Sequence, residues 1–309
     1  MHIGVIGNGI IGHGVAQVFA AAGHTVTIVG RSDESLRRAL ERIAESLEQF
    51  RLHGLTTDDE ARATLERIST CTSLDDVAGA EVVIEAVPFD AALQREVFAR
   101  LDTICAPPAV LATSSGAPAS TVTADVKHRE RVLATHFWNP PQLIPLVEVC
   151  PAPETDASVA RRVCELLRSA GKEPVLLERE IDGFIGNRLQ FALWREAVAL
   201  WGAGVASADA IDRAVKASFG RRLPITGPLE SSDLAGQRTF AAFAEFLLPS
   251  LDTQPRPHER YRELVERGGE APLLCDWSDR DPEALAGRRV EELFARLRDS
   301  STRARQHPG

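Results

Sequence analysis

The chain has 309 residues, 44% hydrophobic and 26% charged, a globular composition that disfavours a disordered or low-complexity protein. At about 150 residues per domain, that length predicts two domains, each able to bury a core. The formal charge of −9 argues against general affinity for nucleic acid or anionic lipid, and no run of about 18 apolar residues is present to span a membrane.

The N-terminus passes straight into a strand-like run over residues 2–6, with no basic segment and no small-residue cleavage site, so no secretory signal is read there. The five cysteines, Cys71, Cys105, Cys150, Cys164 and Cys275, are odd in number, widely spaced and without a Cys-x-x-Cys pair. They point away from a disulfide framework or zinc site and towards reducing cytosol, and no metal is expected. The single tyrosine, Tyr261, is followed four residues on by Val265, which excludes a reductase built on Tyr-x-x-x-Lys.

Gly7-Asn8-Gly9-Ile10-Ile11-Gly12 follows the first strand at once. Helical spacing then runs over residues 11–22, Gly23 is a C-cap candidate, and 25–29 is a second β-branched run. In a strand–turn–helix–strand context each glycine has a task. Gly7 permits the tight turn, Gly9 lets backbone approach a pyrophosphate, and Gly12 lets helix pack close to strand. The pyrophosphate would meet the N–H groups of Ile10, Ile11 and Gly12 at the helix N-terminus. At the end of the second strand, where an NAD site usually carries an acid for the ribose 2′-OH, stand Gly30, Arg31 and Ser32. No carboxylate repels a 2′-phosphate there, Arg31 offers a planar fork and Ser32 a hydroxyl, so NADP(H) is favoured over NAD(H). NAD(H) stays open, with Asp33 as a substitute acid and Arg31 as a solvated charge.

Helices follow at 35–55 and 56–65, the second with Asp58, Asp59 and Glu60 in its first turn. Then come a strand at 81–87 ended by Pro88, a helix at 91–101, a strand at 109–113 closed by Ser114-Ser115-Gly116, and a strand at 131–135 leading into His136. This alternation predicts an α/β, doubly wound parallel sheet of Rossmann type over residues 1–181. Ligands in such sheets sit beyond the carboxyl ends of the strands, which gathers Glu85, Ser115 and His136 with the glycine turn. After about residue 181 the pattern becomes all-helical: 188–201, a helix opening at Ser207, 229–248 with Phe240, Phe243, Phe246 and Leu247 inward, then 259–267 and 282–298. A tail at 300–309 reads as disordered, so the second domain spans 182–309.

His136-Phe137-Trp138-Asn139-Pro140-Pro141 precedes Ile144-Pro145-Leu146-Val147-Glu148-Val149. Two short extended runs around a proline turn bring Glu148 back beside His136. A carboxylate on one imidazole nitrogen fixes the tautomer and stabilises the imidazolium, and the other nitrogen can take a proton from a hydroxyl. Of the eight histidines only His136 has this company. The blander alternative is a turn histidine with a satisfied ring.

These pieces, with Val83-Ile84-Glu85-Ala86-Val87-Pro88 and Asp182-Gly183-Phe184-Ile185-x-Asn187-Arg188-Leu189, resemble the 3-hydroxyacyl-CoA dehydrogenase superfamily over nearly the whole chain. Within it the chain is most similar to the lambda-crystallin and L-gulonate 3-dehydrogenase branch, through Asn139-Pro140-Pro141, Pro153-Glu154-Thr155, Glu180-Ile181-Asp182-Gly183-Phe184 and Gly227-Pro228-Leu229-Glu230. The resemblance implies a helical domain for substrate and dimerisation, a homodimer, and reversible oxidation of a 3-hydroxy acid or thioester. It implies His136 as general acid/base, Glu148 as its partner, Asn187 as a holder of the reacting oxygen, and Val87 and Pro88 on the nicotinamide side. The serine of the family falls on Ser115 if a one-residue gap is allowed, and on Gly116 if not. Arg222 matches an arginine for the substrate carboxylate, and Asn139 is a further substrate contact. Three positions depart from the family pattern: Gly30 lacks the cofactor acid, Phe89 replaces a common glutamate and Gln94 a common lysine. A free sugar acid fits Arg222 best. The alternative substrates are a CoA or carrier-bound thioester, including a β-keto intermediate of polyketide type, and carnitine, with Trp138, Trp194 and Trp201 as cage candidates. A non-catalytic nucleotide-binding protein is the remaining reading.

Overall fold

The computed structural model describes residues 1–267 and 274–306. Eight strands form one sheet: β1 (His2–Ile6), β2 (Thr25–Val29), β3 (Ile68–Cys71), β4 (Val82–Glu85), β5 (Val110–Thr113), β6 (Val132–Phe137), β7 (Leu146–Pro151) and β8 (Glu173–Leu176). Their order is β3-β2-β1-β4-β5-β6-β7-β8, and every neighbouring pair is parallel except β6 with β7. The first six strands have the order of a dinucleotide-binding sheet, with its switch point between β1 and β4.

The strands are buried on both faces because helices cover both. Alternate residues of β1 and β4 divide between two cores. Ile3, Val5, Val82 and Ile84 pack with Val15 and Phe19 of α1 (Ile10–Ala21), Leu36 and Ile43 of α2 (Asp33–Leu52), and Val163 and Leu167 of α5 (Ala157–Ser169). Ile6 and Val83 pack with Val97, Phe98 and Leu101 of α4 (Ala91–Ile104). Ser32 caps α2, and Thr57 with Glu60 forms a capping box on α3 (Asp58–Glu66).

The structure adds β3, α5 and β8 to the predicted elements. Ile68–Cys71 is only half-buried, so its apolar alternation is weak. Glu173–Leu176 contains Pro174, which a sheet admits at an edge such as this one. The α5 helix carried a readable signal, Asp156 as cap and apolar residues at Ala160, Val163, Cys164 and Leu167.

The chain divides into two compact units, one holding Met1–Ile185 and the residues from Gly287 on, the other Gly186–Ala286. Residues 287–306 thus pack with the first unit, whereas the sequence assigned 182–309 to one helical domain. In the first unit, Phe294 of α11 (Pro282–Gln306) is buried, stacks on His53 at 4.1 Å and meets Phe50 edge-on at 5.2 Å. The disordered tail read from residue 300 is corrected: helix continues to Gln306, and 307–309 lie outside the described residues.

The second unit holds α6 (Gly186–Gly202), α7 (Ala208–Ala217) capped by Ser207, α8 (Pro228–Ala235), α9 (Gln237–Leu247) and α10 (Glu259–Arg267). The single helix expected over 229–248 breaks at Gly236, whose φ of 88° a glycine adopts without strain. The inward placement of Phe240, Phe243 and Phe246 is also corrected: they are 43%, 63% and 78% exposed. Helical spacing shows that they share a face, but not what covers it. Among the described residues no helix is long and apolar enough to cross a membrane. All five cysteines are free.

Candidate active site

The glycine turn joins β1 to α1. Gly7 has φ 104°, and a Cβ there would lie 2.5 Å from the Ala86 carbonyl oxygen. A Cβ on Gly12 would lie 1.9 Å from the Gly7 oxygen, so helix and turn touch backbone to backbone. Gly9 differs: nothing stands within 4 Å of its Cβ position. It is the N-cap of α1, no side chain caps that end, and no acid lies in the first turn. An open glycine beside N–H groups of Ile10, Ile11 and Gly12 fits a pyrophosphate. Ile10 is 66% exposed, while Ile11 packs against the core. Two side chains not expected from the sequence hold the turn: Arg42 donates to the Asn8 carbonyl at 2.8 Å, and His13 Nδ1–H to the Gly9 carbonyl at 2.7 Å. Burial lowers the His13 pKa.

Ile6, Glu85, Thr113 and Ala134 stand in one row across β1, β4, β5 and β6. Gly7, Ser115 and His136 therefore lie one or two residues beyond that row on the carboxyl side, His136 still within β6. Glu85 is fully buried and accepts from Val87 N–H at 2.7 Å, Thr113 Oγ1 at 2.7 Å and Gln94 Nε2 at 3.4 Å. Burial pushes its carboxyl up and these three donors oppose that. Thr113 Oγ1 also accepts the Ser115 N–H at 3.1 Å, linking Glu85 to the serine turn. The Ser115 hydroxyl accepts the Ala117 N–H at 3.1 Å, and the Gly116 carbonyl accepts the Gly183 N–H at 3.2 Å. The Ser114 hydroxyl, which the sequence reading passed over, is buried without a partner. Pro88 precedes Phe89, which is 80% exposed, so the position of the family's usual glutamate presents an aromatic ring to solvent.

His136 and Glu148 face each other in the antiparallel β6–β7 register, with His136 Nδ1 2.8 Å from Glu148 Oε2. Glu148 is 1% exposed. Its Oε2 also accepts the Trp138 indole N–H at 3.2 Å, and its Oε1 accepts the Ile185 N–H at 2.8 Å. Ile185 follows Phe184, the one non-glycine residue with positive φ (49°) among those described. That strained, fully buried Phe184 lays its ring 5.6 Å from His136. Trp138 was legible by alternation, two residues from His136 on the same face; a left-handed phenylalanine has no such signal.

Other expected residues are placed separately. At the end of β2, a Cβ on Gly30 would meet Leu36 at 2.7 Å, so packing of α2 contributes to the glycine there. The Ser32 hydroxyl accepts the Ser35 N–H at 3.3 Å, and Arg31 is exposed with no ion-pair partner among the described residues. Asn139 is exposed in the turn after β6. Asn187 is the second residue of α6, and Arg222 is an exposed residue closing a 3-10 turn, both in the second unit. There Trp194 packs edge-on against Tyr261 at 5.1 Å and Phe191 at 5.8 Å, and Arg260 covers the Trp201 face at 4.2 Å. The Trp201 face is thus already occupied, which leaves it poorly suited to a trimethylammonium cage. Among the described residues no group of three or more His, Cys, Asp or Glu could hold a metal ion.

Comparison with known proteins agrees with this geometry. The sequence model of the 3-hydroxyacyl-CoA dehydrogenase NAD binding domain matches residues 2–181, and that of the 3-hydroxyacyl-CoA dehydrogenase C-terminal domain matches residues 183–272. Lambda-crystallin of Oryctolagus cuniculus is 33% identical over 302 residues, 95% of this chain and 94% of that protein. A 3-hydroxybutyryl-CoA dehydrogenase of Mycobacterium tuberculosis is 35% identical over 245 residues, 79% of this chain and 85% of that one. The solved structure of 5-formyl-3-hydroxy-2-methylpyridine 4-carboxylic acid 5-dehydrogenase, an NAD+-dependent dismutase, superposes with a TM-score of 0.86 at 26% identity, covering 96% of this chain and 97% of that one. With a dinucleotide turn, an imidazole–carboxylate pair on β6 and β7 of the same sheet and both domain models matched, the chain belongs to the 3-hydroxyacyl-CoA dehydrogenase family and is an NAD-dependent oxidoreductase of that type.

Proposed function

We infer that the protein interconverts the C3 hydroxyl and keto groups of a free 3-hydroxy acid of the L-gulonate kind. The observation that carries this reading is the 2.8 Å contact between His136 Nδ1 and Glu148 Oε2 on the sheet that also carries the glycine turn. The bound nicotinamide supplies the hydride acceptor or donor. In the neutral tautomer whose Nδ1–H donates to Glu148, His136 Nε2 carries a lone pair that can accept the proton of the substrate hydroxyl. Glu148 offsets the positive charge that follows. Ser115 is proposed to hold the oxygen as it becomes a carbonyl and Asn139 to contact the carboxylate, and the family resemblance adds Asn187 and Arg222 in those two roles. In the reducing direction His136 returns the proton.

A free acid is supported by the pyridine carboxylic acid dehydrogenase, which covers 96% of this chain and 97% of itself. End-to-end coverage alone does not separate the two readings, because a 3-hydroxyacyl-CoA dehydrogenase structure at the same 26% identity covers 97% of this chain and 99% of itself. The thioester reading is supported by the 35% identity to the 3-hydroxybutyryl-CoA dehydrogenase. A panel of free 3-keto acids and their CoA thioesters, assayed with NADH and NADPH, tests the reading. Turnover of free acids supports it; turnover of thioesters alone replaces it, and cofactor binding without oxidation across the panel overturns it in favour of a non-catalytic nucleotide-binding protein.

NADP(H) is the proposed preference within this NAD-type site. Its support is Gly30 in place of an acid and an exposed Arg31 without a competing partner. A higher kcat/KM with NADPH, reduced by Arg31→Ala, is expected; a strong NADH preference in the wild type contradicts it. The proposed assembly is a homodimer joined through the exposed aromatic face of α9. Five free cysteines fit a cytoplasmic setting.

A further inference from the structure

Glu148 is a buried carboxylate that must find donors or be neutralised. Two of its donors are backbone and histidine groups. A further donor, the Trp138 indole, shares Oε2 with His136. Strand alternation puts Trp138 on the His136 face, and Glu148, directly opposite His136, is the diagonal neighbour of Trp138. An indole N–H can only donate, so the direction of this bond is fixed. The indole also packs edge-on to the imidazole, with centroids 5.8 Å apart at 61°.

The geometry points to Trp138 as a positioning residue for the hydride-transfer reaction: its indole N–H holds Glu148 Oε2 against His136 Nδ1. This inference rests on the dehydrogenase reading above. The terminal torsion of a glutamate is soft, so each added donor narrows the rocking of its carboxylate. A second donor on Oε2 keeps the oxygen aimed while positive charge grows on the imidazole. Trp138 touches Glu148 rather than the reacting atoms, so its removal lowers turnover and leaves substrate and cofactor binding nearly unchanged. A tryptophan that instead stacked on substrate would show the reverse.

Trp138→Phe keeps an aromatic ring and deletes the donor. The expected result is a fall in kcat of about tenfold, as for loss of a hydrogen bond to a charged group, with KM and cofactor Kd within about twofold. The second readout needs no turnover. In protein labelled with ¹⁵N at its four indoles, the signal that Trp138→Phe removes should lie downfield of the other three and move upfield in Glu148→Gln. A raised KM with unchanged kcat overturns the inference, as does an indole signal that ignores Glu148→Gln. If Trp138→Phe does not fold, the wild-type and Glu148→Gln spectra decide: one indole signal shifting upfield supports the bond, and none shifting overturns it. A chain with no turnover on any substrate but with the indole response intact refutes the dehydrogenase reading and keeps the contact. A chain that turns over while the indole is unresponsive refutes only the role of Trp138.

Discussion

Glu148 stands directly across the β6–β7 pair from His136, close enough for Oε2 to take the Nδ1 proton bond at 2.8 Å. The carboxylate selects the tautomer that leaves Nε2 able to accept a proton. Glu148→Gln keeps the size of the side chain but loses the charge and can favour the wrong tautomer. A fall in kcat of about 10²–10⁴-fold with little change in KM is expected from steady-state kinetics. A loss under about threefold contradicts the assignment.

Two glycines of one turn should respond differently to alanine. Gly9 has φ −73° and open space at its Cβ position. Gly9→Ala should unfold within about 0.5 kcal/mol of wild type yet bind NAD(P)H at least about tenfold more weakly, because the methyl stands where the pyrophosphate approaches. Gly12→Ala places a methyl 1.9 Å from the Gly7 oxygen, so it should lose stability as well as cofactor. Denaturant melts paired with fluorescence titration measure both; a Gly9→Ala protein with normal affinity would contradict the cradle.

Lys172 gives a pH signature. It is buried, and its ammonium donates to the carbonyls of Pro141 and Ile144 in the turn that links β6 to β7. Burial lowers its pKa to about 8. The unfolded chain then holds the proton more tightly than the folded one, so stability attributable to this group rises with pH above the folded value. Relative to Lys172→Met, wild type should gain about 1 kcal/mol of unfolding free energy between pH 7 and 9. A flat or falling difference contradicts the sign.

The glycine turn and the His136–Glu148 pair were legible because short-range spacing encodes them: three glycines after a strand, and two extended runs around a proline turn. The alternation of strand-like runs with helices predicted a doubly wound parallel sheet, with β1, β2, β4, β5 and β6 among its strands. The edge strands β3 and β8 were not legible, since half-burial and Pro174 blur their pattern. The supports of the site, Arg42 on Asn8 and Ile185 on Glu148, join residues 34 and 37 apart in sequence, and no local period reports them. The faces of α9 illustrate the same limit, because spacing grouped its phenylalanines without saying that they face outward.

Those phenylalanines yield a test of assembly. Phe243→Glu with Phe246→Glu alters residues 63% and 78% exposed in the single chain, so folding should be little affected. Light scattering after size exclusion should show a dimer for wild type and a monomer for the double variant. A dimer that survives both charges moves the interface elsewhere.

The most direct test concerns His136 itself. Initial rates for His136→Gln on the best substrate of the keto-acid panel should fall by at least about 10²-fold, while NAD(P)H affinity by fluorescence titration stays at the wild-type value. Turnover that persists near the wild-type rate would contradict proton transfer at this imidazole.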